Sequence, residues 1–136
     1  MTVFVLDNSV TMRWCFQNAA HPYADAVLQQ LATGVAFVPV LWRYEVSAVL
    51  AKTQRDGILT ALKADEFLAT LSKLNIAVDA ESSNRILTDS YRLAVTYRLT
   101  SYDAAYLELA LRKKLPLATL DGELIAACKA SGAILL

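Results

Sequence analysis

At 136 residues the chain has the length of one domain, expected to span positions 1–136, and it can enclose a substantial core. Its apolar fraction of 56% exceeds the about 45–50% usual in globular chains, which predicts a sheet covered on both faces, a partner interface, or both. Thirteen basic residues balance thirteen acidic ones, which excludes a strongly basic nucleic-acid sponge and leaves at most a local patch for such a ligand.

In chain order, the continuous apolar run Val3–Leu6 predicts a strand buried on both faces, as in a parallel sheet. A short helix over 9–16 follows, then a second over 22–31 with Pro22 at its first position and Gly34 closing it. Residues 36–38 read as a strand ended by Pro39, and Leu41–Arg55 as an amphipathic helix stopped by Gly57. A helix over 60–74 has Thr60 as a possible N-cap, and 76–78 is a short strand. One long helix is expected over 83–98, and another from Thr100 or Ser101 to about 114, where Arg112, Lys113 and Lys114 oppose the macrodipole. Pro116 breaks the chain, 117–119 is a strand, 121–130 a helix capped by Gly132, and 133–136 a possible edge strand. Short strands alternating with helices imply a parallel α/β sandwich, whose sites form outside the carboxyl ends of the strands.

No apolar run approaches the roughly 20 residues of a membrane span. The N-terminus lacks the basic start and cleavage site of a signal peptide, and Cys15 with Cys128 makes a poor disulfide framework. A reduced, cytoplasmic setting without a membrane partner is expected.

Four carboxylates occupy unusual positions. Asp7 ends the first apolar run, and Asp121 follows the last one. Glu45 lies inside the apolar helical pattern of Leu41, Ala48 and Val49, while Asp103 heads the stripe of Leu107, Ala110 and Leu111. Each has an ordinary explanation: Asp7 and Asp121 as helix caps, Asp103 as the third residue of a capping box with Thr100, Glu45 as a glutamate at the edge of a stripe. Together they form an oxygen-donor set suited to Mg²⁺ or Mn²⁺, because charges on a buried face are costly unless paired. Such an ion lowers the pKa of a bound water and neutralises charge on a phosphodiester.

The segments Val5-Leu6-Asp7-Asn8-Ser9, Arg43-Tyr44-Glu45-Val46, Ser101-Tyr102-Asp103-Ala104-Ala105-Tyr106 and Ala118-Thr119-Leu120-Asp121 resemble those of PIN-domain ribonucleases. The subgroup most similar in pattern is the VapC-type toxins of toxin–antitoxin pairs, and the resemblance covers essentially the whole chain. It implies a three-layer α/β/α sandwich with a central parallel sheet and metal-dependent cleavage of RNA to 5′-phosphate and 3′-hydroxyl ends. It also implies that Asp7, Glu45, Asp103 and Asp121 form the catalytic and metal-binding site, with Asp7 and Asp103 as direct ligands. Asn8, Ser9 and Thr119 would support them. A cognate antitoxin, seated near early helices and the apolar faces around Trp14 and Trp42, is the implied protein partner. A homodimer is expected as well, with the 83–98 helix, Tyr91 and Tyr97 contributing.

Arg13 and Arg43 are candidate phosphate contacts close in sequence to site residues, followed by Arg98 and the Arg112–Lys114 cluster. Trp14, Phe16, Trp42 and Tyr44 are candidates for base stacking or, alternatively, for core packing. His21, the only histidine, precedes Pro22 in an expected loop and has no assigned role, which argues against histidine-based RNA cleavage. A response-regulator phosphotransfer domain would need paired acids after the first strand and a late lysine. A dehalogenase-like phosphatase would need an aspartate where Ser9 stands. Two further alternatives are a non-catalytic binding module of the same fold and a DNA-directed nuclease.

Overall fold

The computed structural model describes residues 1–17 and 20–136. Strands β1 (Val3–Leu6), β2 (Val35–Pro39), β3 (Ile76–Asp79) and β4 (Leu117–Ala118) form one sheet in the order β3-β2-β1-β4. All pairings are parallel; Val5 sits opposite both Phe37 of β2 and Leu117 of β4. The helices are α1 (Asn8–Cys15), α2 (Pro22–Gln30), α3 (Leu41–Arg55), α4 (Ala61–Lys73), α5 (Tyr91–Tyr97), α6 (Ser101–Lys113) and α7 (Gly122–Ser131).

The chain builds outward from β1 through β2 to β3, then returns to add β4 on the other side of β1. That reversal creates a crevice at the carboxyl ends of β1 and β4, the place where open parallel sheets hold their ligands. The Asp7 N–H donates to the Ala118 carbonyl at 3.0 Å, which fixes the two strand ends to each other.

Phe4, Val5 and Leu6 are fully buried, as expected for a strand covered on both faces. The α6 helix is buried along Ala104–Ala110 without a break, so it has no solvent face over that stretch and packs across β1, β2 and β4. Glu108 is among those buried residues. It is tolerated because Arg112 bonds it at 2.8 Å and reaches on to Asp79 at the end of β3, at 2.5 Å. Arg112 is therefore committed to a structural ion network and is not a free phosphate contact. Lys113, over the Phe37 ring at 4.6 Å, is partly committed to the same region.

The single long helix expected over 83–98 is instead three segments: a 3₁₀ stretch Ala80–Arg85, a π turn Ile86–Ser90, and α5. The Asp79 carboxylate accepts from the Ser82 N–H at 2.9 Å and opens the segment early, while Arg98 closes it in a left-handed conformation with φ 54°. The expected C-terminal edge strand is reduced to a parallel bridge between Leu117 and Leu135. Elsewhere the boundaries move by one or two residues, with Thr60 and Thr100 acting as N-caps through their hydroxyls.

The aromatic candidates separate clearly. Trp14 and Trp42 are buried, and their indole N–H groups donate to the Ala24 carbonyl and the Thr11 hydroxyl at 2.9 and 3.0 Å. Both are core residues rather than stacking platforms; Trp42 also floors an apolar groove of about 560 Å³ between α3, α4 and β3. Tyr44 and Tyr91 are exposed. His21 is the N-cap of α2, its Nδ1 accepting from the Ala24 N–H at 3.2 Å.

Candidate active site

Asp7 sits at the end of β1, 4% exposed. It precedes α1 but does not cap it through its side chain. Instead its Oδ2 accepts from the Ser9 hydroxyl at 2.5 Å and the Thr119 hydroxyl at 2.8 Å. Thr119 in turn accepts from the Asp121 N–H at 3.0 Å, and Ser9 from the Leu120 N–H at 3.0 Å. Two hydroxyls thus stitch the β1 and β4 ends into one turn-on-turn cradle. Burial pushes the Asp7 carboxyl above its ordinary range, and the two hydroxyl donors oppose that rise.

Asp121 does cap its helix: its Oδ2 accepts from the Leu124 N–H at 3.2 Å. The capping role does not isolate it, because the Asp103 carboxyl lies within hydrogen-bonding reach of Asp121. Asp103 is held in the first turn of α6, its N–H donating to the Thr100 hydroxyl at 3.1 Å. Burial raises the Asp103 carboxyl to about 7; the Asp121 carboxyl, and the charges of Asp7 and Glu45, push the same way.

Glu45 faces inward from α3. Its Oε1 accepts from the Tyr106 hydroxyl at 2.6 Å. Burial raises the Glu45 carboxyl, the Tyr106 donor lowers it, and the Asp7 charge adds to the rise. Tyr106, fully buried on α6 one turn after Asp103, has its own ionisation suppressed by burial and by the Glu45 charge.

Asp103 therefore feels the other three predicted acids, Glu45 feels Asp7, and Ser9 and Thr119 support Asp7. Asn8 begins α1 beside them, but its Oδ1 is buried with no hydrogen-bond partner among the described residues. Arg43 is exposed in the first turn of α3, two residues before Glu45. Arg13 is half-buried on α1, and its Nε has no partner among the described residues. Tyr106 is the residue bonded to these acids to which the sequence assigned no role of its own. Its signal was a tyrosine at an inward position three residues after Asp103, since a buried phenol requires a partner.

Among the described residues, no three histidine, cysteine, aspartate or glutamate side chains lie close enough together to hold a metal ion. The donor chemistry nevertheless fits a hard divalent cation: the acids are all oxygen donors, burial raises the Asp7 carboxyl, and burial together with repulsion from neighbouring acids raises those of Glu45 and Asp103. A cation between them would relieve that repulsion.

Residues 4–130 match the family model described as PIN domain. Ribonuclease VapC3 of Pyrobaculum aerophilum is 37% identical over 81 residues, which are 60% of this chain and 62% of that protein. The match thus spans less than two thirds of that relative's length. The crystal structure of PAE2754 from Pyrobaculum aerophilum superposes with a TM-score of 0.68 at 24% identity, over 93% of this chain and 84% of that one. VapBC2 from Rickettsia felis, bound to a DNA fragment from its promoter, superposes with a TM-score of 0.71 at 10% identity, over 99% and 98%. At these identities the two structures speak for the fold. The reversed parallel sheet, the acids gathered at the ends of β1 and β4, and a family match covering nearly the whole length agree: this chain belongs to the PIN domain family.

Proposed function

We propose that the chain is a metal-dependent endoribonuclease acting as the toxin of a toxin–antitoxin pair. The observation that carries the reading is the crowding of Asp7, Glu45, Asp103 and Asp121 at the sheet's carboxyl edge, with the Asp103 carboxyl raised to about 7 against Asp121. A folded chain tolerates such repulsion at a site where a ligand relieves it. The similarity to Ribonuclease VapC3 supports the nuclease class.

Asp7 and Asp103 would hold a Mg²⁺ or Mn²⁺ ion, with Glu45 and Asp121 completing the oxygen set or orienting water. When bound, the ion supplies an acidified water and charge neutralisation on the phosphodiester. Ser9 and Thr119 fix the Asp7 carboxylate, and their backbone partners at Leu120 and Asp121 tie that orientation to β4. Tyr106 fixes Glu45. Arg43, exposed two residues before Glu45, would be the candidate contact for substrate phosphate. His21 is engaged as a helix cap, so no histidine takes part in proton transfer. An antitoxin partner, a homodimer and a cytoplasmic setting belong to the same reading. No helix among the described residues is long and apolar enough to cross a membrane.

The test is cleavage of a mixed cellular RNA pool by purified protein with Mg²⁺, with Mn²⁺ and with EDTA, beside Asp7→Asn and Asp103→Asn. Metal-dependent cutting lost in both variants, leaving 5′-phosphate ends, is expected. Cutting that persists in EDTA, survives both substitutions or leaves 2′,3′-cyclic phosphates would overturn the reading, and a single-stranded DNA arm tests the DNA-directed alternative.

A further inference from the structure

We propose that Tyr44 and Tyr102 are base-stacking platforms on the two rims of the acidic crevice, where they hold unpaired nucleotides of the RNA on either side of the bond to be cut. The inference rests on the ribonuclease reading above and concerns how that site grips its substrate. Tyr44 is 72% exposed and Tyr102 63% exposed. Each directly precedes an acid of the site: Tyr44 comes before Glu45 on α3, and Tyr102 before Asp103 on α6. Each step along a helix turns by about 100°. Where the acid faces inward, the residue before it therefore stands on the flank, toward water. Burial follows that rule, since both acids are half-buried and both tyrosines exposed. The Tyr106 hydroxyl of α6 bonds Glu45 of α3 at 2.6 Å, so the two helices meet at this point and carry one ring each.

Single exposed apolar side chains are ordinary on any surface. Two tyrosines set in the same way beside two acids of one site form a pattern. Among the described residues, Tyr44 is the one large exposed apolar side chain of α3, and Tyr102 that of α6. Each is thus an isolated ring and not part of an apolar strip, which suits a flat base better than a protein helix. The surroundings of Tyr44 complete the match. It shares a recess of about 330 Å³ with Val40, Arg43 and Ser47. Arg43 is exposed there and offers a cation to phosphate, while the ring offers a face to the base. Stacking of this kind needs a base free of its helical neighbours, so it selects unpaired RNA over duplex.

The experiment uses the full chain and a fluorescein-labelled single-stranded RNA of about ten mixed-sequence residues, beside the same RNA annealed to its complement. Binding is read by fluorescence anisotropy in EDTA, which stops the proposed turnover, and thermal unfolding confirms the fold of each variant. Tyr44→Ala and Tyr102→Ala are each expected to weaken single-strand binding about tenfold, the scale of one base–aromatic stack, and to leave duplex binding unchanged. Tyr44→Trp should bind like wild type and Tyr44→Leu like Tyr44→Ala, which separates stacking from mere apolar contact. Arg43→Gln should lower the slope of log affinity against log salt by about 0.7, the value of one phosphate on a single strand, whereas Tyr44→Ala should leave that slope unchanged. Tyrosine variants that bind single strands like wild type, lose duplex binding equally or are restored by leucine overturn the proposal; unchanged RNA binding would leave the rings to a protein partner. If the wild type still cuts the RNA pool, such results overturn the proposal alone. A wild type that neither binds the probe nor cuts the pool overturns the ribonuclease reading with it.

Discussion

Removing one charge from the acidic cluster should make the protein more stable while removing its activity. The perturbation is Asp103→Asn, which keeps the shape and can still donate to Asp121. In the folded chain the Asp103 carboxyl is raised from 3.8 to about 7. The sign follows from that direction. A raised folded-state pKa means that this group's stabilising contribution is complete below 3.8 and is lost as pH rises through about 7. The displacement, at about 1.4 kcal/mol per pH unit, sets a ceiling of roughly 4 kcal/mol. Asp103 is half-buried, so solvent screening reduces the expected penalty to about 1–2 kcal/mol. Urea unfolding in EDTA at about pH 8 should therefore show the variant more stable than wild type by that amount, and at about pH 4 the gain should nearly vanish. Saturating Mn²⁺ should reverse the order, since an ion that binds only the folded wild type stabilises it. No gain at pH 8, or a gain independent of pH, would refute the argument that the acids are crowded at the expense of stability.

Three other perturbations test the frame around the site. Arg112→Met leaves Glu108 buried without its cation and Asp79 with only Lys113 at 3.8 Å, and should cost about 3 kcal/mol by urea unfolding, with Arg112→Lys recovering part of it. Gly34→Ala would drive a Cβ into the carbonyl oxygens of Thr2 and Gln30, so a loss of about 2 kcal/mol or more is expected in the same assay. Trp42→Phe keeps most of the packing but removes the donor to Thr11, and should cost about 1 kcal/mol. An Arg112→Met protein as stable as wild type would mean that the ion network merely breaks even.

The strands were readable because Val3–Leu6 is an uninterrupted apolar run and Pro39 and Pro116 punctuate the sequence. Asp7 and Asp121 were readable because each follows such a run directly. The break-up of the 83–98 segment was not, since a side chain at Asp79 starts it and a left-handed Arg98 ends it, and neither leaves a periodic trace. Counting Arg112 among free cations failed for a related reason: its acidic partner Asp79 lies 33 positions away. Glu108 belonged to the same blind spot, a charge in a fully buried helical stretch whose partner alone explains it. Tyr106 was visible as an aromatic core residue, but its polar function depends on α3 and α6 facing each other, which pattern alone does not specify.

The cradle that orients Asp7 has a consequence for the timing of activity. Its donors are Ser9, two residues after Asp7, and Thr119, which is 112 positions later, directly after the last and shortest strand of the sheet. Asp121 lies just beyond it. A growing polypeptide that has not reached this region holds Asp7 and Glu45 without the turn that orders them, so the centre assembles only once the turn after β4 has been made. A centre built this way stays unformed until both ends of that long separation have been made and have met.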